Sequence, residues 1–262
     1  MPAIPHLSTS ITAAHLGEAA RHFALEFLEQ CDSTNDALAA RPVAEADIQV
    51  VLARSQTAGR GRRGRSWLSA PGQGLTFSCG WNLPDSGPSP AGLSLVAGLA
   101  LAEALESLGA RGVRLKWPND LLAGSAKLGG ILIELVSGQR RARRVIIGIG
   151  LNLRSAGDEL PPEATALHQH IDHLPADEAV LARILLSLHA RLQDFATSGF
   201  AGLRAEWQAR DAFAGRMVRV LSEAAEQHGR CEGVDADGAL LLGGPEGMQR
   251  ILSGDVSLRP AS

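Results

Sequence analysis

Residues 59–65 read Gly-Arg-Gly-Arg-Arg-Gly-Arg and predict a loop that binds an anion. Glycine tolerates left-handed backbone and lets a ligand approach the chain closely. The arginines supply guanidinium groups whose paired donors match carboxylate or phosphate oxygens. The stretch lacks the Gly-Lys-Ser/Thr ending of a P-loop and opens no helix of a dinucleotide fold, so neither standard phosphate motif explains it. By itself it fits a nucleotide, a carboxylate or a nucleic acid backbone.

Lysine is rare in this chain: of 25 Lys and Arg residues, only Lys116 and Lys127 are lysines. Because arginine serves everywhere else, these two ammonium groups are candidates for places where a planar guanidinium does not fit. Chance survival in an arginine-rich composition would explain a single lysine equally well. Both lysines lie inside short motif-like segments, so we expect them to take part in chemistry.

Residues 116–120, Lys-Trp-Pro-Asn-Asp, predict ligand-binding groups at the end of a strand. Pro118 stops the strand and places Asn119 and Asp120 at its carboxyl end, where small ligands and metal ions are often held. Asp120 can help to bind Mg²⁺, because that ion usually takes one or two carboxylates together with phosphate oxygens. An Asx turn after the strand is the alternative interpretation.

Two glycine-containing segments complete the candidate site. Residues 127–134, Lys-Leu-Gly-Gly-Ile-Leu-Ile-Glu, place an ammonium group before a Gly-Gly step where the backbone makes room for a ligand. A β-bulge with an exposed lysine at its rim is the alternative. Residues 148–152, Gly-Ile-Gly-Leu-Asn, form an apolar strand whose Asn152 either faces a nucleotide base or closes a turn.

The bulk composition excludes two classes of protein. A net charge of −3 and a pI near 6.2 argue against a surface coated with basic groups, so no DNA partner is expected. No apolar run reaches the roughly 20 residues that span a bilayer. Residues 1–10 lack the charged and apolar regions of a signal peptide. We therefore expect a cytoplasmic protein.

Cysteine and histidine give little sign of metal or redox chemistry. The cysteines are odd in number and far apart, which favours small buried side chains over a disulfide or a thiolate zinc site; they are Cys31, Cys79 and Cys231. A histidine cluster lies within residues 168–173, but the i, i+4 pair of a helical zinc site is missing. We expect a solvated loop or helix end there.

Hydrophobic periodicity predicts the elements that position these motifs. The arginine-glycine loop is expected between a strand that begins at Ile48 and one that begins at Gly74. Further strands are predicted over residues 23–28, 113–117, 128–136 and 144–153. Helices are predicted over residues 11–22, 33–40, 93–108, 176–197 and 200–210. Because the strands cluster rather than alternate with helices, the fold class is α+β.

The pattern changes after about Gly215, where short β-like segments are separated by glycines. The segments cover residues 217–221, 229–234, 239–242 and 249–252. Four or five short strands in about 45 residues predict a small barrel appended to the main domain.

In their order along the chain, these motifs resemble those of biotin protein ligases over nearly the whole length. The other matching segments are Ser33-Thr-Asn35, Gln56 and residues 254–259, Gly-Asp-Val-Ser-Leu-Arg. Each motif is weak alone, but all of them in the family order form a specific signal. The resemblance implies a catalytic domain of residues 1–212, with a class II aminoacyl-tRNA synthetase-like mixed sheet flanked by helices. It also implies a C-terminal SH3-like β-barrel domain of residues 213–262.

The resemblance implies roles for the residues that match the family motifs. Positions that bind biotin are matched by Ser33, Thr34, Asn35, Gln56, Arg60, Gly61, Arg62, Lys127, Gly129 and Gly130. Positions that bind the nucleotide are matched by Arg62, Arg65, Trp67, Lys116, Asn119, Lys127 and Asn152. Catalytic positions are matched by Arg62, Lys127, Lys116 and Asp120, and Asp120 also matches a position near Mg²⁺.

The resemblance also implies a reaction and its partners. Biotin and ATP, with Mg²⁺, would give biotinyl-5′-AMP, and a lysine of a biotin carboxyl carrier protein would then receive the biotinyl group. Lipoate protein ligase, which shares the fold and the adenylation chemistry, stays an alternative, as does a nucleic acid-binding module. A homodimer stays open. The stretch before Ser33 is too short for a winged-helix DNA-binding domain, so a monofunctional enzyme is expected. Arg54 and Asp255 depart from the family pattern, away from the reaction centre.

Overall fold

The computed structural model describes residues 7–68, 70–84, 87–136, 143–155, 160–221, 226–245, 247–252 and 257–260. The α-helices within these ranges are α1 (Thr9–Leu16), α2 (Thr34–Ala39), α3 (Leu93–Ser107), α4 (Asp177–Ser198) and α5 (Arg204–Gln208). Short 3-10 turns cover Gly17–His22, Arg62–Gly64, Leu167–Gln169 and Phe200–Gly202. None of the helices in these ranges is both long and apolar enough to cross a membrane.

The strands form two sheets. The strands of the first sheet are β1 (Phe23–Cys31), β2 (Ile48–Gln56), β3 (Gly74–Leu83), β4 (Val113–Lys116), β5 (Asp120–Ala123), β6 (Ala126–Val136) and β7 (Arg143–Asn152). The strands of the second are β8 (Met217–Leu221), β9 (Glu226–Val234), β10 (Leu240–Gly244), β11 (Gly247–Ile251) and β12 (Ser257–Pro260).

The first sheet is mixed and covered by helices on both faces. Its strand order is β1-β2-β3-β7-β6-β5-β4, with β1 and β2 parallel and the other pairs antiparallel. One face packs on α3 and α4 in a large apolar core, while the small helix α2 covers part of the other face through Leu38, Val51 and Ile146. A strand that is buried on both faces reads as a continuous apolar run, as β7 does. The predicted α+β class and helix-flanked mixed sheet are therefore confirmed.

The second sheet is antiparallel, with the strand order β11-β10-β9-β8-β12. The sequence predicted a closed barrel. Among the described strands, β12 pairs with β8, at the opposite edge of the sheet from β11, and no pairing joins β11 to β12. The sheet is consequently SH3-like but open. Residues 253–256, including Asp255, lie outside the described residues.

The residues just before the second sheet, and the loop between β9 and β10, contact the segment that carries Lys116. The backbone of Leu115 accepts a hydrogen bond from Ala212 and donates one to Arg210, each 2.8 Å long, just before β8 begins. The buried indole of Trp117 donates to the carbonyl of Gly238, also across this junction, at 2.9 Å. The position of Lys116 is therefore tied to both sheets.

Several element boundaries differ from the sequence prediction. Helix α1 ends at Leu16 and a 3-10 turn follows, because Gly17 takes a left-handed φ of 58°. The predicted helix over residues 200–210 is a 3-10 turn followed by α5. Asp120 does not end a strand but begins β5, which forms a hairpin with β4. The predicted long helix over residues 176–197 is confirmed by α4.

The histidine cluster lies in a turn, as predicted, and two of the three cysteines are buried. Residues 167–169 form a 3-10 turn, and His168 and His173 are exposed. The cysteines are free, and Cys79 and Cys231 are buried while Cys31 is half-buried. Burial raises the pKa of the Cys79 thiol, and burial beside Asp211 raises the pKa of Cys231 to about 12.

Candidate active site

A cavity of about 150 Å³ lies at the carboxyl ends of β1 and β2, on the face of the first sheet that carries α2. The residues just after β1 enter it from one side and Gln56, the last residue of β2, from another. The arginine-glycine loop follows Gln56 and covers the opening, while the β4–β5 hairpin closes the far end. Segments that are far apart in the sequence therefore meet in one place.

The floor of the cavity is a stripe of small residues, set by strand register. Gly150 of β7 lies opposite Thr76 of β3 and Gly130 of β6, so the three lie side by side across the sheet. A Cβ added at Gly150 would collide with the indole of Trp67. At Gly148, two residues earlier on the same face, it would collide with the side chain of Asn35. The glycines therefore leave room for these two side chains against the backbone.

One end of the cavity is neutral, polar and buried. Ser33, Thr34 and Asn35 at the start of α2 are only 3–4% exposed. The backbone N–H of Thr34 donates to Oε1 of Gln56 at 2.8 Å. Because the Gln56 carbonyl is held in this way, its amide nitrogen stays on the side of the loop, where only a glycine fits at position 59.

Asn35 is held by partners on both sides of its amide. Its Oδ1 lies 2.5 Å from Oγ of Ser78, which is also 2.7 Å from Oγ1 of Thr34. Its Nδ2 donates to Oε2 of Glu134 at 2.7 Å. A buried amide with both groups engaged has a fixed orientation, so this end presents a defined set of donors and acceptors.

The other end of the cavity is cationic. Nζ of Lys127 lies 2.6 Å from Oδ1 of Asp120, and Nζ of Lys116 lies 3.4 Å from Oδ2 of the same carboxylate. Arg62 donates to Oδ1 of Asn119 at 3.3 Å. The ammonium group of Lys127 also lies 5.8 Å from the centre of the Trp67 ring, in a cation–π arrangement. Two lysines and an arginine thus converge at a single carboxylate and amide.

Arg60 joins the arginine-glycine loop to the neutral end. Its guanidinium donates to Asp36 at 2.7 Å and to Glu134 at 2.9 Å, and Glu134 also accepts from Asn35. The loop that carries Arg60 turns through Arg63, whose left-handed φ of 59° is rare for a residue with a side chain. A backbone hydrogen bond from Trp67 to Gly59 closes the loop at 2.9 Å.

Nearly all residues expected from the sequence line this one cavity. They are Ser33, Thr34, Asn35, Gln56, Arg60, Gly61, Arg62, Arg65, Trp67, Lys116, Asn119, Asp120, Lys127 and Gly130. Gly129 and Asn152 do not line it. Gly129 packs against the backbone of β7, where a Cβ would lie 2.8 Å from the carbonyl of Gly150. The buried amide of Asn152 donates to the carbonyl of Thr165.

Sequence reasoning missed three polar residues of the site. Ser78 and Glu134 hold Asn35, and Thr76 lines the cavity with a buried hydroxyl that has no hydrogen-bond partner among the described residues. A signal was present in β3: the face of Thr76, Ser78 and Gly80 is small and polar, while Phe77, Cys79 and Trp81 on the other face are apolar. This alternation indicates a strand with one face turned to a site.

Asp120 meets the requirements of a Mg²⁺ ligand only in part. Mg²⁺ bound with ATP needs one or two protein carboxylates, because phosphates and water supply the other oxygens. Asp120 provides one half-buried carboxylate at the cationic end, next to the amide oxygen of Asn119. Both of its oxygens already face ammonium groups, so a metal ion would have to replace one of the two lysines there.

Comparison with known proteins places the chain among proteins of related sequence. The model of the Biotin/lipoate A/B protein ligase family matches residues 27–152, and that of the Biotin protein ligase C terminal domain matches residues 213–259. The biotin--[acetyl-CoA-carboxylase] ligase of Paracoccus denitrificans is 39% identical, over 87% of this chain and 98% of its own length. The bifunctional ligase/repressor BirA of Escherichia coli strain K12 is 38% identical, over 88% of this chain and 72% of its own length.

Solved structures of biotin protein ligases are also similar to this chain. The biotin protein ligase from Aquifex aeolicus in complex with biotin and ATP is similar to this chain with a TM-score of 0.79 and 32% sequence identity. The similarity covers 91% of this chain and 99% of that protein. A biotin protein ligase from Leishmania major in complex with biotinyl-5-AMP shares the fold, with a TM-score of 0.60.

Proposed function

The chain belongs to the biotin protein ligase family, and from this premise we propose that it activates biotin with ATP and attaches it to a carrier protein. In the first step a biotin carboxylate oxygen attacks the α-phosphorus of ATP, giving biotinyl-5′-AMP and releasing pyrophosphate. In the second step a lysine amine of a biotin carboxyl carrier protein attacks the acyl carbon. An amide forms, AMP leaves, and the amine loses a proton.

The observation that carries this proposal is the division of one cavity into a neutral end and a cationic end. Biotin is divided in a matching way, with a neutral ureido ring at one end and an anionic carboxylate at the other. The ureido ring needs a hydrogen-bond donor for its carbonyl oxygen and two acceptors for its N–H groups. Ser33, Thr34 and Asn35 offer such groups in buried positions, and the half-buried Gln56 offers its amide in a fixed orientation.

The cationic end is suited to bring two anions together. Carboxylate and triphosphate repel each other, so the protein's contribution is to offset their charge and hold them in line. Arg62 and Lys127 are placed to do this, and Lys116 and Asn119 lie beside them for the nucleotide. The Trp67 indole N–H is buried without a partner among the described residues, so it is available to a ligand acceptor. Arg65, exposed at the edge of the loop, contributes least.

Asp120 is the counter-ion of this end. In the structure it holds both ammonium groups in place and separates two like charges. When a phosphate or carboxylate enters, Lys127 can exchange Asp120 for the ligand with a small movement of its flexible side chain. Mg²⁺ that accompanies ATP would find Asp120 and Asn119 as its protein oxygens, and it would neutralise phosphate charge there.

The loop of residues 59–66 serves as a lid in this proposal. Biotinyl-5′-AMP is a mixed anhydride that water hydrolyses, so it needs shielding until the acceptor arrives. Limited proteolysis with and without biotin tests the lid, and equal cleavage of residues 59–66 in both states would contradict it.

Further features of the proposal concern organisation and partners. Residues 1–212 form the catalytic domain and residues 213–262 the C-terminal domain. The acceptor is the carrier domain of a biotin-dependent carboxylase, and the enzyme works in the cytoplasm without a DNA partner. Sedimentation with and without biotin tests whether two copies form a homodimer.

Lipoate ligation is the nearest alternative, because the family model that matches residues 27–152 covers both activities in its name. The match of residues 213–259 to the biotin protein ligase C-terminal domain favours biotin. Calorimetry with each acid separates the two alternatives. A nucleic acid-binding module would need a more basic surface than a net charge of −3 provides.

Biotin-dependent exchange of labelled pyrophosphate into ATP tests the first step. We expect exchange with the wild type and its loss in Arg62→Ala. A matched control is Arg111→Ala, which removes an exposed arginine that pairs with Asp172 outside the cavity. Exchange that needs no biotin, or that responds to lipoate instead, would contradict the proposal.

A further inference from the structure

Three side chains capable of binding a metal meet far from the cavity. His22 is the residue before β1, Asp47 is the residue before β2, and His189 lies in α4. The cavity is at the carboxyl ends of β1 and β2, whereas these residues are at the amino ends. Because β1 has nine residues, the two places are about 30 Å apart. The group is therefore separate from the candidate active site.

The three side chains already converge on one another. Nδ1 of His22 lies 2.6 Å from Oδ2 of Asp47, and Nε2 of His189 lies 3.2 Å from the same oxygen. All three ligand atoms lie within 4.8 Å of one another. The two imidazole rings stack with their centres 4.6 Å apart. Two nitrogen donors and one oxygen donor thus face a common point.

The scaffold around the group is rigid. Phe23 and Ile48 are paired in the parallel register of β1 and β2, which sets His22 and Asp47 side by side. Phe23 is buried and its ring meets that of His189 edge-on at 5.7 Å, which places α4 against the strands. The backbone positions are fixed by the core, so only side-chain rotation is needed to adjust the three donor atoms.

The donor set and its spacing match a transition-metal ion. Two imidazoles and one carboxylate are ligands of Zn²⁺, with bonds of about 2.0–2.2 Å and further positions open to water. Tetrahedral bonds of that length separate ligand atoms by about 3.3 Å. The 3.2 Å pair already has this separation, and the 2.6 Å pair reaches it by opening less than an ångström. The Asp47 side chain is 46% exposed, so an ion can enter from solvent.

We propose that His22, Asp47 and His189 form a binding site for a divalent transition-metal ion of the Zn²⁺ type. The ion would join the starts of β1 and β2 to helix α4, and so attach the edge of the first sheet to the helix layer. An ion that binds only the folded chain raises its stability by mass action. The site does not depend on the proposed ligase activity.

Calorimetric titration of the full untagged chain with ZnCl₂ alone, without ATP, biotin or Mg²⁺, tests this inference. We expect one equivalent to bind and the melting temperature to rise with zinc concentration. The double variant His22→Ala/His189→Ala should bind at least about tenfold more weakly, since even losing an outer partner of a ligand costs that much. His15→Ala, which removes an exposed histidine of α1, is the matched control and should bind zinc as the wild type does.

Cobalt titration gives a second measurement. Co²⁺ in a site with two imidazoles and a carboxylate has visible absorption, which should appear in the wild type and be absent from Asp47→Asn. This single variant keeps the size of the side chain, so it answers the question even if the double variant does not fold. Zinc binding that is unchanged in both variants, or no zinc binding by the wild type, would overturn the inference.

Discussion

The two ends of the candidate active site differ in how their polar groups are held. At the neutral end, Asn35 is 3% exposed and hydrogen-bonded on both sides of its amide. At the cationic end, the Lys127 side chain is 36% exposed and faces one carboxylate that it shares with Lys116. A neutral ligand is recognised by fixed hydrogen bonds, whereas charged reactants need cations that can change partners. The first end is therefore expected to govern biotin binding, and the second the chemical step.

Removing the ammonium group at the cationic end should have the largest effect. Lys127→Ala is expected to lower the maximal rate of pyrophosphate exchange about 10²–10³-fold, as for the loss of one transition-state donor. The Michaelis constant for biotin should change much less, because the neutral end is intact. Steady-state exchange kinetics measure both quantities.

Lys127→Arg distinguishes charge from shape. The Lys127 side chain runs past Gly130, where a Cβ would lie 3.4 Å from Nζ. A planar guanidinium is larger than an ammonium group and cannot place a compact charge at the same point, so most of the loss should persist although the charge is kept. Full activity in Lys127→Arg would show that any cation suffices.

Changes at the neutral end should affect biotin rather than the rate. Asn35→Ala removes a donor and an acceptor proposed to bind the ureido ring, and is expected to cost about 1–3 kcal/mol of biotin binding. This corresponds to a Michaelis constant for biotin raised about 5- to 150-fold, while the constant for ATP stays within twofold. Exchange kinetics with each substrate varied in turn provide the measurement. Equal increases in the Michaelis constants for biotin and for ATP would contradict the separate roles of the neutral and the cationic end.

Glu134→Gln should have a smaller effect, since Glu134 links the loop to the neutral end and does not line the cavity. Glu134 accepts from Asn35 and Arg60, and its side chain is one third exposed. Pairs of this exposure contribute about 0.2–1 kcal/mol, so we expect a change of fivefold or less in either constant. A loss as large as that of Lys127→Ala would place Glu134 in the chemistry.

Asp211 provides a contrast outside the cavity, because it should affect stability and not activity. Burial raises the pKa of its carboxyl above the ordinary value, beside Cys231 at the junction of the two sheets. The folded state therefore holds the proton more tightly than the unfolded state. The stabilisation from this group is complete below the unfolded pKa near 4 and is lost as the pH rises through the folded value.

Asp211→Asn removes this dependence. Its melting temperature relative to the wild type should be higher at pH 7 than at pH 4, with exchange activity unchanged at pH 7. Thermal unfolding at the two pH values checks the sign. A melting temperature of Asp211→Asn that is lower relative to the wild type at pH 7 than at pH 4 would contradict a raised pKa of Asp211.

The sequence predicted the parts of the site that depend on local patterns. The loop of residues 59–65 and the segments around Lys116 and Lys127 carry unusual residue types at short spacing, and all three reach the cavity. The fold class followed from the clustering of strands. The sequence could not predict that the SH3-like sheet is open. Whether the sheet closes depends on which strands pair at its edges, and the hydrophobic pattern of each strand does not determine this.

Contacts between distant positions could not be predicted in the same way. Ser78 reaches Asn35 only because β3 lies between β2 and β7, and this order is a property of the sheet. His22, Asp47 and His189 are likewise far apart in sequence, whereas the histidines that are close in sequence lie in a 3-10 turn and its flanks. The role of Asn152 stays a prediction: its buried amide donates to the carbonyl of Thr165, a contact that its place at the end of a strand did not indicate.

Competition by a stable analogue of biotinyl-5′-AMP tests most directly whether one cavity holds both reactants. Calorimetry would measure its binding to the chain alone, then to the chain saturated with biotin or with ATP. The account predicts one analogue molecule per chain and displacement of both biotin and ATP by it. An analogue that binds while ATP remains bound would place the nucleotide elsewhere and contradict the account.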